Sequence, residues 1–114
     1  MSNFIDPADY YLRVPKEELE KWVEETNRKI EEFHRKYRDK IIEAANRCNL
    51  DEAMKQYGNF FFESFKALVD YWGKTGDVVR MAPPEKLQMD IATELREKIK
   101  KTMTEKCKCE LTDF

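Results

Sequence analysis

Glu31-Glu32-Phe33-His34 is the first stretch of this chain whose residue types could do chemistry. A carboxylate and an imidazole three residues apart share one side of a helix, the spacing by which ferritin-like carboxylate sites aim Glu and His at a metal. Such a site draws further carboxylates from facing helices, and Glu63, set among phenylalanines, is the acid whose context reads as buried. Glu31, His34 and Glu63 are therefore the candidate metal ligands. His34 is the sole histidine, so a two-metal centre would require a symmetric partner. Its place between Phe33 and Arg35-Lys36 suits an ordinary flank residue better, and no cofactor is expected.

Cys107-Lys108-Cys109 sets two thiols two residues apart, enough to chelate a soft metal from an extended tail but splayed by about 200° on a helix. Zinc wants four ligands, and Cys48 lies far away with no recognisable spacing to the pair. Three cysteines in this arrangement do not resemble a secreted disulfide framework, so reduced thiols are the expectation. Lys106 and Lys108 would favour thiolate at either tail cysteine. Gly73-Lys74-Thr75 lacks the preceding glycine of a phosphate-binding loop and follows a helical pattern rather than a strand. No Gly-x-Ser-x-Gly turn is present either. The expectation is a protein that is not itself an enzyme, though a small accessory subunit of one would fit.

Basic residues gather in two places. Arg28, Arg35, Lys36 and Arg38 lie in the first periodic segment, and Lys100 and Lys101 in the last. A basic stripe is all that phosphate contacts need, which makes a nucleic-acid-associated helical protein, such as a viral or phage component, the second reading. Acids interleave throughout, however, and 21 basic against 23 acidic residues give a net charge of −2, with no global attraction for polyanions.

The elements that must position these groups are helices. The charged fraction is 39% and the apolar fraction 41%, and only three glycines and four prolines interrupt 114 residues, a composition suited to narrow amphipathic helices in a single domain. Pro15 and the acids behind it open a helix expected over about 15–48, roughly 50 Å long, with apolar residues at three- and four-residue spacing. Asn49-Leu50-Asp51-Glu52 has the form of a capping box and starts a second helix, about 50–73, closed at Gly73 or Gly76. Residues 74–83 form a linker. Pro83-Pro84 opens a third helix, about 84–106, whose thin stripe is Leu87, Ile91, Leu95, Ile99 and Met103. Residues 1–14 read as an arm rich in aromatic and apolar groups that would dock on a surface, and 107–114 as a tail. The fold class is all-α, a long helical hairpin with a third amphipathic helix.

The second helix bears most on function. Phe60, Phe61 and Phe62 in succession spread over about 200° of circumference, and Phe65 and Trp72 widen the arc. Such a helix belongs at the centre of a bundle, and one long and one thin-striped neighbour would leave part of it bare. The leading expectation is a helical interaction, scaffold or regulatory protein that forms a homo-oligomer, a dimer foremost, or docks on a protein partner. Its interface would comprise Phe60, Phe61, Phe62, Phe65 and Trp72 with Trp22, Ile30, Phe33 and Tyr37 of the first helix. No apolar run reaches the roughly 18 residues of a membrane span, the N-terminus lacks a signal-peptide layout, and no Asn-x-Ser/Thr acceptor occurs. A cytoplasmic location without membrane association is the expectation.

Overall fold

A computed structural model describes residues 16–75 and 83–109. They form three α-helices and no strand: α1 (Lys16–Asn46), α2 (Leu50–Thr75) and α3 (Pro83–Glu105). Pro15 and the expected arm lie outside the described residues, as do 76–82 of the expected linker and 110–114 of the tail.

Local chemistry accounts for the boundaries. Glu17 and Glu18 sit in the first turn of α1, where the exposed N–H groups favour negative charge. At the far end Asn49 N–H donates to the Ala44 carbonyl (2.9 Å) and Cys48 N–H to that of Ala45 (2.9 Å), the paired bonds of a Schellman ending. The left-handed residue this ending needs is Cys48 (φ 59°), where glycine is the usual choice. One residue later Asn49 Oδ1 accepts from Glu52 N–H (3.1 Å) and caps α2. The reciprocal half of the expected capping box is replaced: Glu52 Oε1 accepts from Gln56 Nε2 (2.9 Å) one turn ahead. Gly73 does not close α2, which continues to Thr75. Tyr71 and Trp72 hold that last stretch by packing on Trp22 and Val23 of α1.

α1 and α2 run antiparallel through the turn at 47–49, and α3 returns alongside α1, so that Ile99 and Thr102 lie by Ile41 and Ala45. α1 packs on both neighbours, whereas α2 and α3 meet least. The central position expected for α2 therefore belongs to α1. Three helices enclose none of their number, and α1 is the one whose apolar positions find a neighbour on both sides. The main core joins Ile30, Tyr37, Ile41, Ala44 and Ala45 to Ala53, Phe60, Ala67 and Leu68, and to Ile91, Leu95, Ile99 and Met103. A polar link crosses from α2 to α3. Ser64, fully buried, donates to the Phe61 carbonyl (3.0 Å) and accepts from Gln88 Nε2 (3.3 Å). A satisfied buried pair of this kind fixes the axial register of two helices that apolar contacts alone would let slide.

The three helices lie side by side in an elongated bundle, α1 alone running about 46 Å over its 31 residues. Elongation raises surface relative to volume, and that geometry leaves one side of α2 uncovered.

Candidate functional site: an exposed aromatic face on α2

Successive helical residues are 100° apart, so Phe60 and Phe62 point about 200° from each other and cannot share a core. The helix places Phe60 inside with Ala53, Ser64, Ala67, Leu68 and Tyr71. On the opposite side Gly58, Phe62, Phe65 and Val69 follow at spacings of four, three and four, with Phe61 beside them. Phe62 is 63% exposed, Val69 46%, Phe61 43% and Phe65 42%.

Tyr57, Gly58, Phe61, Phe62 and Phe65 line a shallow groove of about 390 Å³. Phe65 meets Trp72 edge-on with ring centres 5.7 Å apart, and the Tyr57 and Phe61 rings lie 6.3 Å apart. Lys66 Nζ stands 5.2 Å from the centre of the Phe62 ring, drawn to the electron-rich face. Burial pushes the Tyr57 hydroxyl pKa above its usual value, opposed by Arg96, which keeps that phenol neutral. A contiguous aromatic surface with Lys66 at its margin suits another apolar surface, and soluble monomers rarely leave one bare without use.

Several residues expected at a partner interface are instead consumed by the chain's own core. Ile30 and Phe60 are fully buried and Tyr37 nearly so, because they lie on the sides of α1 and α2 that face the core. Trp22, Phe33 and Trp72 are half-buried at its margins. Phe61, Phe62 and Phe65 remain available. Val69, one of the apolar positions of the second helix, and Gly58 belong to the same face but were not among the interface residues expected from the sequence. The heptad-like spacing from Gly58 to Val69 is the signal that would have found them.

The metal constellation is not assembled. Phe33 and Lys36 mark the flank of α1 that faces Glu63, and Glu63 is paired with Lys36 at 3.8 Å. His34, 200° around the helix from Lys36, has Glu94 and Lys98 of α3 among its charged neighbours. Glu31 points to solvent. Among the described residues no three His, Cys, Asp or Glu side chains are placed to share an ion. His34 instead stands edge-on to Phe60, with ring centres 6.3 Å apart. Burial lowers its pKa; Glu94 opposes the shift, while Arg38, Lys98 and Arg35 add to it.

The basic residues are similarly dispersed. Arg28 and Arg35 are exposed on the side of α1 away from the core. Lys36 turns to Glu63, and Arg38 Nη1 lies 3.5 Å from Asp39. Lys100 and Lys101 border a surface hollow on α3 that Glu94, Glu97 and Glu105 share. Acids thus interrupt each basic cluster in space as they do in sequence.

The cysteines depart most from expectation. Cys48 and Cys107 form a disulfide across 59 residues, and Cys109 alone keeps an exposed thiol. Each bonded cysteine lies just past the C-terminal end of a helix, and α1 and α3 run side by side, so the two ends meet. That coincidence depends on topology and is invisible in the spacing of the cysteines. No protein-family model matches this chain, and neither a curated protein nor a solved structure matches it.

No described helix is long and apolar enough to cross a membrane.

Proposed function

We propose that this chain is a helical interaction protein whose working surface is the aromatic face of α2, presented to an apolar surface of a protein partner. The observation that carries the reading is the exposure of Phe61, Phe62, Phe65 and Val69 on the side of α2 opposite its core. Burying them in a protein interface would remove apolar area from water at about 25 cal/mol per Å² before the costs of association. Aromatic side chains concentrated at the centre of a patch are the usual anchors of such interfaces. Beside the lack of a membrane-length apolar run, of a signal-peptide layout and of a glycosylation acceptor, the expected cytoplasmic location drew in part on reduced cysteines. The Cys48–Cys107 bond removes that support and favours an oxidising compartment.

The test places a photo-crosslinking amino acid at Phe62 and, as a control, at exposed Lys86 on α3, in the full chain within its expressing cell. A protein adduct formed at position 62 and absent at 86 is the expected result. An unmodified chain at both positions, or equal labelling at both, overturns the reading.

A further inference from the structure

Resting on the interaction reading above, we infer that the partner of the α2 face is a second copy of this chain, with the two α2 helices antiparallel about a two-fold axis between Phe65 and Lys66. A two-fold interface presents one surface to itself, so that a residue a given distance before the axis meets the residue the same distance after it. The exposed stripe satisfies that rule. Gly58, Phe62, Phe65, Val69 and Gly73 place Phe62 across from Val69 of the second copy and Gly58 across from Gly73, with the two Phe65 rings adjoining at the axis.

The glycines support close approach. A Cβ built on Gly58 or Gly73 meets nothing within 4 Å, so nothing inside the chain uses its absence. Yet both lie within α2, where glycine is the least favourable residue after proline. A second helix crossing there would use the space that a side chain would otherwise fill.

Direction follows from shape and charge. A parallel pair would stack phenylalanines at one end of the stripe and Val69 on its copy at the other, wedging the helices apart. It would also set Asp51 and Lys55, which continue the stripe toward the N-terminus of α2, against their own copies. The antiparallel pair sets large side chains against medium ones along its middle and holds the two Lys55 residues about 30 Å apart along the axis.

The area sets the strength. With roughly 150–250 Å² per aromatic side chain, the exposed fractions of Phe61, Phe62, Phe65 and Val69 amount to about 350 Å² per chain. That is somewhat under half of the roughly 800 Å² each partner contributes to a standard stable interface. Tyr57, Trp72 and the polar rim add to it, and the pair is a reversible dimer in the micromolar range.

Light scattering coupled to size exclusion, run on the full chain from about 2 to 200 µM, tests this. The expected result is a shift from monomer to dimer, with the dissociation constant raised at least tenfold by Phe62→Glu and by Gly58→Leu. Gly58→Leu should leave the melting temperature of the monomer unchanged or higher, which separates lost pairing from lost folding. A spin label at Lys55→Cys in a Cys109→Ser background should report about 30 Å between copies; a distance near 10 Å overturns the antiparallel arrangement. A strict monomer overturns self-pairing. If the position-62 crosslinker then joins a different protein, the interaction reading stands, and if it joins only the chain's own residues 1–15 both readings fall. A dimer indifferent to both substitutions overturns the assignment of this face to self-pairing.

Discussion

Cys48 and Cys107, 59 residues apart, are joined where the C-terminal ends of α1 and α3 come side by side. Cys48 also occupies the left-handed position that ends α1, so one residue both terminates a helix and ties it to another. Chain-entropy arguments give a loop of this length about 4 kcal/mol of stabilisation through the unfolded state. Cys107→Ser should therefore lower unfolding stability by about 2–4 kcal/mol in denaturant titration, and Cys109→Ser should leave it within about 0.5 kcal/mol. Equal effects from the two would contradict the pairing.

Phe60 and Phe62 offer a second comparison, since they differ in little but the side of α2 they occupy. Phe60→Ala should cost about 3–5 kcal/mol, the usual consequence of emptying a fully buried aromatic site. Phe62→Ser should change the stability of the monomer by no more than about 0.5 kcal/mol. Chemical denaturation of the two variants at a concentration below that of self-association checks both values.

His34 gives a pH dependence whose sign is fixed by its lowered pKa. Burial disfavours the imidazolium in the folded chain, with Glu94 opposing and Arg38, Lys98 and Arg35 reinforcing the shift. As pH falls through about 6.5, the unfolded chain takes up the proton first, so stability decreases until the folded-state pKa is passed and then levels off. The group is partly exposed, which keeps the effect modest. His34→Gln should flatten the fall in melting temperature between pH 7.5 and 5, and an unchanged slope would assign the dependence to other groups.

The sequence by itself determined that the chain is helical, where its three helices lie within a few residues, and that α2 carries more apolar surface than its neighbours cover. These follow from local causes: 3.6-residue periodicity, the Asn49 cap, the prolines at 83 and 84, and three consecutive phenylalanines that no single core direction can accommodate. Tertiary structure decided the rest. It made α1 rather than α2 the central helix, because only packing shows which of two apolar helices has neighbours on both sides. It gave Ile30, Tyr37 and Phe60 to the core and left Phe61, Phe62, Phe65 and Val69 outside. A hydrophobic residue suits a core or an interface equally well in composition, and only the direction of its side chain separates the two. It set His34 and Glu63 on opposite flanks of α1, and it joined Cys48 to Cys107, because contact between residues distant in sequence depends on the direction and register of whole helices.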